Sequence, residues 1–281
     1  MTRGRWRRAA FDLVFYGHVW IALGAAALCR LTQQLTAQPA AAPGLPLLVG
    51  SATLGVYTLH RYLSFSRANG RPDSRRYRIV ARHPRTSLVV GTTALLLAAP
   101  PLLMLARPGW WPLLPAVPLT FWYLTPLWPG GPRLRDLPYL KVVWVGLAWA
   151  LVTALLPALA VPDAAPTERA AILTTLGTGG FTTAVALLFD FRDTALDRAQ
   201  GVRTVANRAP ALARALAVAG LTGGLLCWWP LVNERAGLLA GWLVGLAVAA
   251  LTTPDRSEDW YAVVVNGLLV LWPVLIWLGD R

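Results

Sequence analysis

The sequence is poor in charge, in acid and in cysteine. Only 14% of its 281 residues are charged, 56% are hydrophobic, and the mean hydropathy is +0.51. An ordinary soluble domain has about 25% charged residues, so that class is excluded. A disordered chain needs low hydrophobicity and high charge, so that class is excluded too. Two cysteines, Cys29 and Cys227, are too few for a disulfide framework. Both sit in or at the end of apolar runs and read as small buried hydrophobes. Thirteen acidic residues face 26 basic ones, a net charge of +13. The basic residues are nearly all arginine and fall between apolar runs. No zinc-ligand pattern, RNA-binding motif or Lys-rich tail goes with them, so the charge points to membrane topology and not to nucleic acid. The chain also lacks a phosphate-cradling Gly-rich loop, a nucleophile elbow and a Cys-x-x-Cys. His18 and His83 have no metal-ligand spacing.

Tryptophan and proline are abundant, at 14 and 22 residues. Tryptophan favours membrane–water interfaces, and proline is commoner in membrane helices than in soluble ones. Arg3, Arg5, Arg7 and Arg8 precede an apolar stretch in the manner of a signal peptide. That stretch has no convincing small-x-small cleavage site before Arg30, and Leu28 precedes Cys29 where a lipoprotein site wants a small residue. It reads as an uncleaved first span.

A spanning helix needs about 20 mostly apolar residues. Nine segments qualify: Phe11 to Leu31, Leu45 to Phe65, Ser87 to Ala106, Trp111 to Trp128, Tyr139 to Val161, Ala170 to Phe189, Ala209 to Val232, Gly237 to Thr252, and Trp260 to Gly279. The fourth and eighth are short, and Pro112, Pro115 and Pro118 should kink the fourth or delay its start. With the N-terminus inside and the C-terminus outside, 18 Lys and Arg lie in inner connections and 4 in outer ones. Arg30, Arg61, Lys141 and Arg214 lie within helix ends. This bias is a strong positive-inside signal. The fold expected is therefore a single all-α, polytopic integral-membrane domain over residues 1–281, in a cell (bacterial inner) membrane, with any chemistry on the cytoplasmic face. Midspan regions nearly free of charge speak against a transporter or channel.

One acidic cluster stands apart, where the sixth apolar segment meets the inner boundary: Asp190-Phe-Arg-Asp193-Thr-Ala-Leu-Asp197-Arg-Ala-Gln-Gly201-Val-Arg203-Thr204. If the helix continues, Asp197 returns to within about 20° of Asp190 and Asp193 lies about 60° to one side. Such like charges need a proton or a cation to offset them. Carboxylates with a phosphate ligand suit Mg²⁺, and Arg198 and Arg203 are placed to hold the same phosphates. Helix-end charges solvated at the interface, paired with Arg192 and Arg198, remain the plain alternative. Arg75, Arg78, Arg82 and Arg85 share a face if their loop is helical, and would meet either a diphosphate or anionic headgroups. Gly177, Gly179 and Gly180 suit close helix contact. The Trp-rich stretches Trp110-Trp111, Trp122, Trp128, Trp228-Trp229 and Trp272 to Trp277 read as interface anchors and packing.

The Asp-x-x-Asp-x-x-x-Asp segment with its Gly-Val-Arg-Thr tail resembles the second aspartate motif of the UbiA superfamily of membrane prenyltransferases. Pro138-Tyr139-Leu140-Lys141, followed by an apolar helix with Trp144 and Trp149, resembles the start of that family's fifth helix. The resemblance implies a nine-helix UbiA-like bundle with a cytoplasm-facing cavity. Its implied activity is Mg²⁺-dependent transfer of an isoprenyl group from an isoprenyl diphosphate to a lipophilic, aromatic acceptor in the lipid phase. Asp190 and Asp193 would then hold Mg²⁺ with Asp197 as a further ligand, and Lys141, Arg198 and Arg203 would hold diphosphate. The family's first motif, Asn-x-x-x-Asp-x-x-x-Asp, should end the second helix. Here His60, Ser64 and Ala68 occupy its three positions, and the following loop has only Asp73. The resemblance then implies an altered half-site at His60 and Arg61, with Arg61 as a fixed positive charge in place of a metal ion; a histidine at a helix end is otherwise a packing residue whose nitrogens find partners. The missing motif leaves open a non-catalytic or altered relative that binds an isoprenoid, a quinone or a partner.

Overall fold

The computed structural model describes residues 3–36, 44–67, 75–160, 167–199 and 201–279. Among them all regular structure is helical. The helices are α1 (Arg3–Phe11, running on through a π-turn at Asp12–Tyr16), α2 (Val19–Leu35), α3 (Gly44–Arg67), α4 (Arg75–Arg82), α5 (Pro84–Leu103), α6 (Leu113–Leu124), α7 (Lys141–Leu159), α8 (Glu168–Ala199), α9 (Pro210–Leu231), α10 (Arg235–Leu251) and α11 (Trp260–Gly279). The described helices overlap the predicted segments, the first of them as two helices and not one. Five helices are long and apolar enough to cross a membrane, and six if α1 and α2 count as one bent span, among the described residues. The chain is a membrane protein of the all-α class.

The departures from expectation have local causes. The first span is not straight: Trp6–Tyr16 meets Val19–Leu35 at 47°, because His18 takes a left-handed φ of 67° after the π-turn. Helix α6, in the fourth predicted segment, is only twelve residues long, because Pro112 sits at its N-cap and delays its start. Helix α8, in the sixth, runs well past the boundary predicted at Phe189, to Ala199. That extension carries all three motif aspartates as helix. The loop after α3 contains α4, which carries Arg75, Arg78 and Arg82, whereas Arg85 lies beyond the break at His83, on α5.

Neighbours in sequence are mostly neighbours in space. Helix α7 packs on α8, α8 on α9, α9 on α10 and α10 on α11, and α11 closes the ring against α2. Trp20 Nε1 donates to the Val263 carbonyl at 3.2 Å across that last seam. The backbones of α8 and α9 come together at small residues: a Cβ on Gly220 would stand 2.6 Å from the Gly180 carbonyl oxygen. The expected role of the α8 glycines in close helix contact is thus seen at Gly180. The tryptophans divide into two groups. Trp228 and Trp272 are fully buried around Phe181, with ring centroids 5.0 to 5.8 Å apart. Trp110, Trp111, Trp122 and Trp128 are exposed, as interface anchors would be. Cys29 is fully buried and Cys227 half-buried; both are free.

Candidate functional site

The site is built on two helices that meet at the arginine-rich end of the bundle. Helix α8 is apolar through Phe189 and then presents Asp190 and Asp197 on one face, two turns apart. Helix α7 begins at Lys141, facing them. Gly146 allows that approach, since a Cβ there would collide with the Thr183 hydroxyl. The Lys141 ammonium bonds Asp190 Oδ1 at 2.9 Å and Asp197 Oδ2 at 3.0 Å. All three side chains are nearly sealed from solvent, at 9%, 6% and 2% exposure. One ammonium between two buried carboxylates leaves one negative charge in a space that water scarcely reaches.

Asp193 lies beside this cluster, and its charge reaches both Lys141 and Asp190. Its carboxylate takes two 2.8 Å hydrogen bonds from Arg192, and the Arg192 guanidinium also lies 4.5 Å from the Phe189 ring centroid. Of the three carboxylates expected on one metal, the middle one is gripped in bidentate fashion by the neighbouring guanidinium. Among the described residues no group of three or more His, Cys, Asp or Glu side chains is placed to hold a metal ion. What remains is a two-carboxylate site. It fits Mg²⁺ in chemistry, since that ion is held by one or two carboxylates when phosphate and water complete its octahedron. In this structure the ammonium lies between those oxygens.

The Gly-Val-Arg-Thr tail is a folded turn. Gly201 has φ 71°, and the following amide, Val202 N–H, donates to the Asp197 carbonyl at 2.8 Å, so the glycine ends α8 in the usual left-handed manner. Thr204 and Asn207 cap each other's backbone N–H, and Asn207 Nδ2 donates to the Val202 carbonyl. Arg203 and Arg198 are exposed on this turn, and Arg198 Nη2 reaches the Asn207 carbonyl at 3.4 Å. Tyr139 N–H donates to the Arg203 carbonyl at 2.9 Å, which ties the loop before Lys141 to the loop after Asp197. Tyr139 holds φ 64° there, an uncommon backbone state for an aromatic residue.

The residues expected to form an altered half-site lie at the end of α3. His60 is half-buried. Arg61 lies over the Tyr77 ring of α4, 5.7 Å from its centroid. Ser64 is half-buried, and Ala68 and Asp73 lie outside the described residues. The four loop arginines divide. Arg75 is committed to Asp12 at 2.8 Å and Asp259 at 2.7 Å and stacks on Phe11 and Tyr16. Tyr16 in turn donates to Asp259. Arg78, Arg82 and Arg85 are exposed.

Several polar residues at the site carried no sequence signal of their own. The fields of Arg135, Lys141, Asp190 and Asp193 all reach the Tyr123 hydroxyl of α6. Tyr57 of α3 accepts from Trp149 Nε1 at 3.3 Å. Trp144, one turn after Lys141 on the same face of α7, buries its indole Nε1 with no partner among the described residues, and so does the Thr58 hydroxyl of α3. Buried polar atoms are rarely left so, and a ligand is one thing that fills them.

No family model and no curated protein matches this sequence. Solved structures do match. A UbiA homolog from Archaeoglobus fulgidus bound to GPP and Mg²⁺ superposes with a TM-score of 0.60, over 95% of this chain and 98% of that one, at 13% identity. The same homolog bound to DMAPP and Mg²⁺ gives 0.59 with the same coverage and identity. At that identity the likeness is one of fold, and it spans nearly the whole chain.

Proposed function

We propose that this chain, a membrane protein with the fold of the UbiA homologs, binds an isoprenyl diphosphate at the arginine-rich end of its bundle. There it transfers the prenyl group to a lipophilic, aromatic acceptor. The observation that carries this reading is Lys141 buried between Asp190 and Asp197 where α8 runs past its apolar stretch. The ligands named for its structural neighbours, GPP and DMAPP with Mg²⁺, suit such a site. The charge bias supports the cytoplasmic side of a cell membrane as the face of action, with the N-terminus inside and the C-terminus outside.

In this reading Asp190 and Asp197 hold one Mg²⁺, with Asp193 beside them. Bound there, Mg²⁺ supplies Lewis-acid stabilisation of the diphosphate charge. Lys141 binds phosphate oxygens, and Arg198 and Arg203 on the exposed turn close over the same group. Arg61, with His60 next to it, supplies fixed charge where a second carboxylate set is missing. As the allylic carbon–oxygen bond breaks, these cations stabilise the leaving diphosphate. The apolar interior keeps water from the allylic cation until the acceptor captures it. Trp144, one turn from Lys141, offers an N–H that orients a bound head group.

The test uses purified protein with C10 to C20 isoprenyl diphosphates, with and without Mg²⁺, and a panel of aromatic acceptors. Diphosphate release and lipid product are followed by mass spectrometry. Asp190→Asn and Asp197→Asn should each lower turnover by about 100-fold or more. Asp193→Asn should lower it less, because Arg192 already neutralises that carboxylate. Full activity in Asp190→Asn and Asp197→Asn would sink the reading. A second reading is favoured by His60 and Ser64 at the first-motif positions: a relative that binds an isoprenoid or quinone without turnover. Binding without diphosphate release would select it.

A further inference from the structure

Lys141 is the single lysine in a chain with 25 arginines. We propose that it is a removable counter-ion, which closes the Asp190–Asp197 pair to divalent cations until a diphosphate draws the ammonium away. The inference rests on the diphosphate-and-metal reading above and adds an order of binding to it.

Size and charge carry the argument. The ammonium bonds both carboxylates at 2.9 and 3.0 Å. Mg²⁺ takes oxygen ligands at about 2.1 Å and gives up its water reluctantly. The two cations cannot share the space between the same buried oxygens. If Mg²⁺ entered with Lys141 in place, two positive ions would sit side by side where little solvent screens them. A diphosphate changes both conditions. It brings negative charge toward which the ammonium can turn, and its phosphate oxygens complete the coordination that two carboxylates begin.

The residue type fits this role. A guanidinium is a rigid fork that grips a carboxylate with two parallel bonds, whereas an ammonium is a compact point charge on a flexible four-carbon stem. Both cases are present on α8. Arg192 holds Asp193 by two bonds and is stacked on Phe189, a fixed arrangement. Lys141 touches each of its two aspartates through one atom, and its stem reaches in from another helix.

The experiment uses the full chain in detergent or nanodiscs, Mn²⁺ as the metal probe and inorganic pyrophosphate as the anion. Because there is one lysine, ¹³Cε-lysine labelling gives one side-chain signal for Lys141. Mn²⁺ alone should leave that signal sharp. Mn²⁺ with pyrophosphate should broaden it, and Mg²⁺ with pyrophosphate should shift it. Electron paramagnetic resonance of Mn²⁺ retained on the protein should show little uptake by the unaltered chain alone. It should show about one ion per chain once pyrophosphate is added. Lys141→Met should take up Mn²⁺ without pyrophosphate, about tenfold more tightly than the unaltered chain, once the neighbouring like charge is gone. Broadening by Mn²⁺ alone, or equal Mn²⁺ affinity in the unaltered chain and Lys141→Met, overturns the counter-ion proposal and leaves the diphosphate reading standing. Retention of neither Mn²⁺ nor pyrophosphate, offered together, overturns both. The signal from the unaltered chain decides the question even if Lys141→Met fails to fold.

Discussion

Trp144 buries an N–H that meets no acceptor among the described residues, and a buried donor in that state is worth about 1 to 3 kcal/mol of lost solvation. Trp144→Phe removes the donor and keeps most of the ring. The ligand-free protein should then keep or gain thermal stability, while binding of a non-hydrolysable isoprenyl diphosphate analogue weakens about five- to tenfold, the worth of one hydrogen bond. Melting and titration calorimetry on the same preparation check both halves. A tryptophan that only packs would lose stability and leave affinity unchanged. The aspartates teach a related lesson. Their shared helix face follows from a spacing of seven and was legible in the sequence. Their division into a buried pair and a guanidinium-bound single was not. The first depends on Lys141, 49 and 56 positions away, and the second on which of two flanking arginines folds back.

At the scale of elements, α8 and α9 touch through glycine backbones. Gly220→Ala drives a methyl to within 2.6 Å of the Gly180 carbonyl, which cannot rotate away. The helices must separate, at about 1 to 3 kcal/mol, and the melting temperature should fall. Gly146→Ala meets the Thr183 hydroxyl, a side-chain atom that can swing aside, so its fall should be smaller. The loop between α6 and α7 has its own fastening. Asp136 accepts from the backbone N–H, Nε and Nη2 of Arg133 at 2.8 to 3.0 Å. Partial burial raises its pKa, but those hydrogen bonds outweigh burial and hold it below the ordinary carboxylate value. A carboxyl depressed in the folded state stabilises above its unfolded pKa, and the contribution is lost as pH falls through the folded one. Protection of the Arg133 amide in hydrogen exchange should therefore be flat from about pH 5 upward and decline below about pH 4. Asp136→Asn should abolish the dependence. The all-helical, membrane-spanning class was readable because bilayer thickness sets a minimum length for apolar segments. The bend at Gly17–His18 was not, since a π-turn followed by a left-handed histidine leaves no proline or glycine pair to mark it.

For the whole molecule, the charge bias gives an orientation that a fusion experiment can check. A reporter active only outside the cell should work at the C-terminus, and one active only inside should work within the 129–138 loop. The opposite pattern would invert the proposed face of action. The tryptophans show why composition alone could not draw the interior. Exposed rings at Trp110, Trp111, Trp122 and Trp128 and sealed rings at Trp228 and Trp272 come from equally apolar surroundings in sequence. Only the packing of α8, α9 and α11 tells them apart.

The seam between the first and last helices has a consequence for biogenesis. Tyr16 and Asp259, like Trp20 and Val263, meet across 243 positions of chain. Gly24 lies against Leu269 in the same seam. Since α11 is the last of these helices to leave the ribosome, the facing side of α2 has no native partner through most of synthesis. Lipid, or an insertion factor, must cover it for that interval. The step that completes the ring is then the arrival of α11, and it also brings Asp259 to the waiting Arg75 and Tyr16.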